Sequence, residues 1–145
     1  MPYHKMSDTE VAEFLASEPP HVAKVATTRI DGRPHVAPVW YAVDDDGSIY
    51  FTTGADTVKG RTIRRDPRIS VCIDDPRPPF GFVLLEGTAE IIEDLAAVRH
   101  WATILGGRYM GADRADEYGA RNGVPGELLI RLRPERITSA KDLAD

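Results

Sequence analysis

The chain has 145 residues, 23 acidic and 18 basic side chains and a net charge of -5, which argues against a nucleic-acid partner because binding to phosphates requires a basic face. Its length suits a single domain, residues 1–145, although a wide ligand cleft in a protein of this size can require a second subunit. No apolar run reaches the about 20 residues of a membrane span, and the only cysteine, Cys72, has no partner within the chain. We therefore expect a soluble cytoplasmic protein in which Cys72 is a buried structural thiol.

The N-terminal region predicts an amphipathic helix. Ser7 and Glu10 match the capping-box pattern, in which each side chain accepts a hydrogen bond from the other residue's backbone N–H. Apolar residues then recur at helical spacing until Pro19 and Pro20, which cannot continue a helix. We interpret the segment between these signals as one helix.

A β-hairpin is predicted next. A strand over residues 21–28 leads through Asp31-Gly32, a dipeptide typical of hairpin turns, into a second strand over residues 34–43. Pro38 lies within the second strand and has no N–H to donate. We therefore expect Pro38 at a sheet edge, at a bulge or where something other than a strand approaches the backbone.

Residues 48–74 predict a strand, a short basic helix and another strand. Gly54 breaks the first strand, Asp56 or Thr57 can cap the helix, and Asp66-Pro67 ends it. The three elements cover residues 48–53, 57–65 and 68–73.

Lys59 lies near the start of this helix, where backbone N–H groups are unpaired and the helix dipole is positive. A phosphate could bind there, and the Lys59 ammonium would add a point charge to the site. The alternative is an ordinary basic helix whose cations are solvated. The spacing alone leaves both interpretations open.

The second half of the chain predicts one long strand, two helices and a last strand. These elements cover residues 80–92, 95–105, 114–121 and 128–133. We expect a bend in the long strand at Gly87, and we expect Gly106-Gly107 to end the first of the two helices. Six or so short strands joined mostly by hairpins, with helices around them, favour a small and mainly antiparallel barrel.

The sequence offers no self-sufficient catalytic site. The four histidines lack metal-ligand spacing, and the acidic residues cluster in segments typical of turns, so we predict no metal site. The nucleophile motifs of hydrolases and the glycine-rich loops of nucleotide-binding proteins are missing as well. The remaining possibility is cofactor chemistry, in which the protein binds and orients a cofactor and its substrate while the cofactor carries out the reaction.

Three segments of the chain form a recognisable set: VATTRIDGRPHVAPVWYAV, IYFTTGADTVKGRTIRRDPRISVCID and VLLEGTAEII. They resemble the pyridoxamine 5'-phosphate oxidase-like superfamily of split β-barrel flavin and deazaflavin proteins, and the final RLRPERI is also similar. The resemblance covers about residues 22–92. The superfamily pattern is a strand ending in Thr or Ser, a short loop, a Lys early in a helix, and Asp-Pro-Arg or Asn-Pro-Arg before a strand. The matching residues here are Thr52, Thr53, Thr57, Lys59 and Asp66-Pro67-Arg68.

The resemblance implies a mainly β split-barrel fold and a homodimer with the cofactor bound between subunits. It implies that the cofactor phosphate lies against Thr57 and Lys59 and that the tricyclic ring lies beside residues 37–41. The cofactor-binding residues expected on this basis are Ala37, Pro38, Val39, Trp40, Thr52, Thr53, Thr57 and Lys59.

Two segments depart from the pattern of the true oxidases. Their strand motif R-x-x-x-L-K, whose cations bind the flavin phosphate, corresponds here to APVWYAV, which has neither cation, and RLRPERI lacks their Trp-Arg substrate signature. The motif pair D-G-R-P-H and R-R-D-P-R is similar instead to the actinobacterial branch that uses the 8-hydroxy-5-deazaflavin coenzyme F-420. The resemblance therefore implies an oxidoreductase that passes a hydride from reduced F-420 to a small conjugated organic acceptor. FMN is the alternative cofactor.

A second class of function stays open, because the motif region contains no evident acid or base. The chain could be a non-catalytic carrier that binds a flavin, a deazaflavin or a haem-derived ligand in the same groove.

Single residues also have two interpretations. Trp40 can flank a ring or belong to the core, and Arg108 and Tyr109 can line a partner's pocket or simply follow the preference of helix ends for cations.

Overall fold

The computed structural model describes residues 4–144, so residues 1–3 and 145 of the expected domain lie outside the described part. Within that part no helix is both long and apolar enough to cross a membrane. The helices are α1 (Asp8–Leu15), α2 (Val58–Arg65), α3 (Leu95–Met110) and α4 (Ala115–Asn122). The strands are β1 (Ala23–Thr28), β2 (Pro34–Val39), β3 (Ala42–Val43), β4 (Ile49–Gly54), β5 (Arg68–Asp75), β6 (Gly81–Ile92), β7 (Glu127–Leu132) and β8 (Arg136–Ala140).

These strands form one curled antiparallel sheet in the order β2-β1-β5-β6-β7-β4-β3, with β8 paired to β6. The long strand β6 joins the two sides of the sheet, because residues 81–88 pair with β5 and residues 89–92 pair with β7. The change of partner follows Gly87, where the sequence predicts a bend. The sheet is a half-barrel, which confirms the expected split β-barrel fold.

The core lies on the inner, concave face of the sheet. Strand β1 shows the pattern, since Ala23, Val25 and Thr27 are buried while the residues between them are partly exposed. Strand β4 contributes Ile49 and Phe51, both with no exposed surface. Burying one such side chain contributes about 1.5–3 kcal/mol, so the inner face supplies most of the stability of the barrel.

Local signals in the N-terminal third are confirmed. The Ser7 side chain accepts a hydrogen bond from the Glu10 N–H at 3.1 Å, and Glu10 accepts one from the Ser7 N–H at 3.0 Å, so the capping box forms. The hairpin turn closes through a bond of 2.8 Å from the Arg29 N–H to the Arg33 carbonyl, and Gly32 takes the positive φ of 86° that this turn requires. Pro38 lies on β2, which is an edge strand as expected.

The prediction of one strand over residues 34–43 is wrong, because β2 ends at Val39 and β3 begins at Ala42. The backbone N–H of Tyr41 donates to the side-chain hydroxyl of Tyr109 at 3.2 Å instead of to a strand. Tyr41 and Ala42 are consecutive and both buried, so the alternation of the strand is lost at this bend. A contact from a distant helix therefore interrupts a pattern that is regular in the sequence.

The prediction that Gly106-Gly107 ends a helix is also wrong, since α3 continues to Met110. The two glycines allow close packing with α4: a Cβ built on Gly106 would lie 2.3 Å from the Tyr118 Cβ. The helix ends instead at Gly111, which has a φ of 107°. These glycines are therefore explained by packing between helices rather than by a helix end.

Two further features differ from the sequence interpretation. Cys72 is half-buried on the outer face of β5 rather than buried, and this partial burial raises the pKa of its thiol. Strand β8, which pairs with β6, was not predicted, because Pro134 suggested the end of the last strand.

Candidate functional site

The start of α2 is built around Thr57, which is the residue that caps the helix. Its hydroxyl accepts a hydrogen bond from the Gly60 N–H at 3.0 Å and donates to the Gly54 carbonyl at 2.8 Å. The N–H groups of Val58 and Lys59 find no acceptor among residues 4–144. Two backbone donors thus remain available at the positive end of the helix, as the sequence predicts.

Lys59 is half-buried, although the sequence placed it away from the apolar side of the helix. Loss of hydration lowers the pKa of its ammonium, and the nearby Glu127 carboxylate acts in the opposite direction. A partly desolvated cation without an ion pair gains more from a bound anion than a fully hydrated one. The environment of Lys59 therefore fits a phosphate ligand.

Glu127 is the residue at this site that the sequence analysis missed. It is the first residue of β7 and lies directly opposite Gly54 on β4, so that a Cβ built on Gly54 would lie 3.6 Å from the Glu127 Oε1. Partial burial raises the pKa of Glu127, while the charge of Lys59 lowers it. Only the register between β4 and β7 brings Glu127 to Lys59, and no local motif indicates this.

The two threonines at the end of β4 point to opposite faces of the sheet. Thr53 is buried on the inner face, and its hydroxyl lies 3.1 Å from the Thr57 hydroxyl. Thr52 is half-buried on the outer face. Thr53 thus supports the cap of α2 from inside the barrel, whereas Thr52 is accessible to a ligand.

The residues of β2 also divide between the two faces. Ala37 lies opposite the buried Val25, and Val39, itself buried, lies opposite Ala23, so both belong to the inner face. Pro38 is exposed on the outer face. A ligand on the outer side of the sheet meets the side chain of Pro38 and only the backbone of its neighbours.

Trp40 is held at the bend between β2 and β3 by aromatic contacts. Its indole stacks on the Tyr109 ring, with centroids 5.2 Å apart and planes at 5°, and meets the Tyr118 ring edge-on at 5.6 Å. The Tyr109 hydroxyl donates to the His21 carbonyl at 2.6 Å. Helices α3 and α4 therefore fix one side of the indole.

Arg108 is largely buried next to these rings, with 13% of its side chain exposed. Its guanidinium lies 4.9 Å from the centre of the Tyr41 ring and donates to the Leu15 carbonyl at 3.0 Å. Burial raises the pKa of the Tyr41 hydroxyl to about 12. Arg108 and Tyr109 thus tie α3 to α1 and to the bend within this subunit.

A cavity of about 240 Å³, called the Trp40 cavity below, lies between the outer face of the sheet and helices α3 and α4. It is lined by Pro38, Trp40, Thr52, Ala102, Leu105 and Asn122. Three of the eight expected cofactor-binding residues are thus brought together. Thr53, Thr57 and Lys59 form a second group at the start of α2.

The two largest of the cavities described here contain none of the expected residues. One of about 510 Å³ crosses β1, β5 and β6, and one of about 540 Å³ lies under α1. We base the site on the Trp40 cavity despite its smaller volume, because three of the expected cofactor-binding residues line it. Among the described residues no group of three potential metal ligands is found.

A basic groove of about 320 Å³ lies on another side of α2. Its cations are Arg29, Arg33, Arg61 and Arg65. Asp31 is the acidic residue in the groove and pairs with Arg33 at 2.6 Å. Arg64 instead pairs with Glu93 and does not line the groove.

The split-barrel fold and the anion site at the start of α2 indicate a cofactor-binding protein, and comparison with known proteins identifies its family. Residues 7–141 match the model of the family described as pyridoxamine 5'-phosphate oxidase, and the chain belongs to this family. It is 29% identical over 143 residues to an F420H(2)-dependent biliverdin reductase of Mycobacterium tuberculosis, with 97% of this chain and 93% of that protein covered.

Two solved structures extend the comparison. A conserved hypothetical protein from Mycobacterium tuberculosis superposes with a TM-score of 0.81 and 30% identity, over 97% of this chain and 89% of its own. A protein described as F420 reductase gives a TM-score of 0.66 and 28% identity, over 86% of this chain and 94% of its own. The recognition of the superfamily from sequence motifs is thereby confirmed.

Proposed function

We propose that this protein is a cytoplasmic oxidoreductase that binds coenzyme F-420 and passes a hydride to a small conjugated organic acceptor. The observation that carries the proposal is the similarity, over 97% of the chain, to a protein named as an F420H(2)-dependent reductase. The second protein named for F420, at 28% identity, supports the same cofactor.

The residues of the site fit such a cofactor. The free N–H groups of Val58 and Lys59 and the Lys59 ammonium would hold its phosphate, while Pro38, Trp40 and Thr52 would contact its ring. When bound and reduced, the deazaflavin supplies the hydride. The protein contributes a fixed aromatic wall and a cavity lined by uncharged side chains, which orient the reactants.

FMN is the competing cofactor, because it also combines a phosphate with a tricyclic ring and the family model is named for an oxidase. The side chains of residues 37–43 bear no positive charge and cannot add to its phosphate site. The phosphate would depend on the start of α2 alone. We therefore favour the deazaflavin.

A carrier without catalysis is the second candidate function. The observation in its favour is that none of the six residues lining the Trp40 cavity is an acid or a base. A carrier would bind the cofactor and not consume its hydride.

We further propose that the protein is a homodimer. The outer face of β1, β2, β5 and β6 carries a group of uncharged, partly exposed side chains beside the Lys24–Asp74 ion pair, and Val36 is 63% exposed. The members of this surface are Val36, Ala26, Cys72, Leu84 and Phe82. An apolar strip of this kind at a sheet edge is suited to a second copy of the chain.

The first experiment is a pair of titrations of the purified protein with F-420 and with FMN, followed by turnover of reduced F-420 with a panel of conjugated acceptors. We expect F-420 to bind and its reduced form to be oxidised only when an acceptor is present. FMN retained at one per chain without measurable F-420 binding would reverse the cofactor assignment. Binding without turnover of any acceptor would identify a carrier.

Light scattering at micromolar concentration tests the dimer. We expect a dimer for the wild type and a monomer for Leu84→Glu, which places a charge in the uncovered surface. A monomeric wild type with cofactor bound contradicts the proposal.

A further inference from the structure

Asn122, the last residue of α4, lines the Trp40 cavity and has no role in the site derived so far. It is half-buried, and its carboxamide makes no hydrogen bond with any residue from 4 to 144. A carboxamide presents one acceptor oxygen and one donor NH2 group side by side. A polar group of this type beside the apolar and aromatic side chains of the cavity is suited to orienting a ligand.

The other residues of the cavity restrict the chemistry of that ligand. Pro38, Ala102 and Leu105 are apolar, and Trp40 offers an aromatic surface. No charged side chain lines the cavity, so a charged group bound there would lose its hydration without a counter-ion. The part of the ligand that lies in the cavity is therefore neutral, and the Trp40 indole favours a ring against it.

The size of the cavity shows how much of a ligand it holds. Its volume of about 240 Å³ is below the roughly 300–1,000 Å³ of sites that enclose a drug-sized molecule. It accepts one end of a ring system. The stack of Trp40 on Tyr109 keeps that space open in a defined shape.

We propose that Asn122 is a specificity-determining residue that binds a cyclic amide edge, in which a ring N–H and a ring C=O are adjacent. The carboxamide oxygen accepts from the ring N–H, while its NH2 group donates to the ring C=O. The inference rests on the proposed function, because two molecules of that reaction, the cofactor and the hydride acceptor, can each supply such an edge. One is the pyrimidinedione end of the deazaflavin, and the other is a lactam ring of the hydride acceptor.

The test uses Asn122→Leu, which keeps the approximate size and removes both polar groups, with Asp116→Asn as the control. Asp116 is exposed on the same helix and does not line the cavity. The probe is lumichrome, a neutral tricyclic ring that carries the pyrimidinedione edge and no phosphate. Lumichrome methylated at both pyrimidinedione nitrogens, N1 and N3, serves as the matched ligand without a ring N–H. Binding is followed by fluorescence and does not depend on catalysis.

If the cofactor supplies the edge, Asn122→Leu should weaken lumichrome binding roughly tenfold, and the methylated ring should bind both proteins about equally. The control variant should bind like the wild type. If the acceptor supplies the edge, lumichrome binding stays unchanged, while the KM of a lactam acceptor rises roughly tenfold in Asn122→Leu and that of its N-methyl analogue does not.

The proposal is overturned if lumichrome affinity and the KM of the lactam acceptor both stay within about twofold of the wild type. Its failure is distinct from failure of the proposed function. The lumichrome comparison requires neither F-420 nor turnover, whereas the cofactor assignment is decided by the F-420 and FMN titrations.

Discussion

The Tyr109 ring lies parallel to the Trp40 indole, with centroids 5.2 Å apart, and the Tyr109 hydroxyl accepts the N–H of Tyr41 at 3.2 Å. One residue of α3 therefore holds both the aromatic wall of the cavity and the backbone bend that presents it.

Removing the Tyr109 hydroxyl should loosen this bend. In Tyr109→Phe the Tyr41 N–H loses its acceptor, and we expect a loss of about 1–3 kcal/mol in the free energy of unfolding. The stacked rings remain, so the Trp40 environment should change less than in Tyr109→Leu. Denaturant unfolding and tryptophan fluorescence check both statements. Tyr118→Phe, on the edge-on side of the same indole, is the control, and an equal effect there would contradict a special role for Tyr109.

Lys59→Ala should weaken cofactor binding on the order of ten- to a hundredfold, because it removes a charge-assisted contact of about 1.5–3 kcal/mol to the phosphate. Raising the salt concentration should then weaken the wild type more than the variant. The measurement is a cofactor titration, with the exposed Lys5→Ala as control.

The stability of the empty protein separates a binding role from a structural one. The pKa of Lys59 is lowered by burial, which means that its charged form is disfavoured by folding. Lys59→Met should therefore leave the empty protein at least as stable as the wild type in thermal unfolding. A large drop in Tm would show that Lys59 supports the fold.

Glu127→Gln should tighten binding of the cofactor phosphate. The variant removes a negative charge that competes with the ligand for Lys59, and we expect a gain of about 1 kcal/mol, or roughly fivefold in affinity. In the wild type, protonation of Glu127 at low pH should have the same effect, so affinity should rise as pH falls through its raised pKa. That rise should be missing from the variant. Weaker binding by Glu127→Gln would indicate instead that Glu127 accepts a hydrogen bond from the ligand.

Gly106→Ala should destabilise the protein by about 1–3 kcal/mol, because its Cβ would lie 2.3 Å from the Tyr118 Cβ and force α4 away from α3. Gly107→Ala is a matched control in the same turn, since its Cβ would lie 3.2 Å from the Ala115 Cβ. Both substitutions gain helix propensity, so thermal unfolding should reveal the difference in packing. Equal stabilities would contradict the close contact between the helices.

The ion pair of Asp66 with Arg68 should make the free energy of unfolding depend on pH. Its carboxylate accepts hydrogen bonds from the Arg68 side chain at 2.9 and 2.7 Å, and these bonds lower the pKa of Asp66 to about 2. The contact therefore stabilises the folded state above pH 3.8, the ordinary pKa of the group, and this contribution is lost as pH falls towards about 2.

The Tm difference between the wild type and Asp66→Asn should accordingly shrink over that pH range. Arg68→Gln removes the partner and should by itself abolish most of the pH dependence assigned to Asp66. A Tm difference that stays constant from pH 5 to pH 2 would contradict the assignment.

The sequence by itself determined the elements whose signals are local. The capping box of Ser7, the turn at Asp31-Gly32 and the helix that begins after Thr57 each depend on hydrogen bonds between residues a few positions apart, which a short motif specifies. For the same reason the helix-start position of Lys59 was readable, and the superfamily motifs that include it fixed the fold class.

Only the tertiary structure decided which distant side chains meet. Glu127 reaches Lys59 through the register of β7 on β4, and Asn122 reaches Trp40 because α4 packs on α3. Gly106 resembles a helix end in the sequence and is a packing contact in the fold. Such pairs form because whole faces of strands and helices are buried against each other. The free energy of that burial depends on residues far apart in the chain, so a local sequence pattern does not show which side chains will meet.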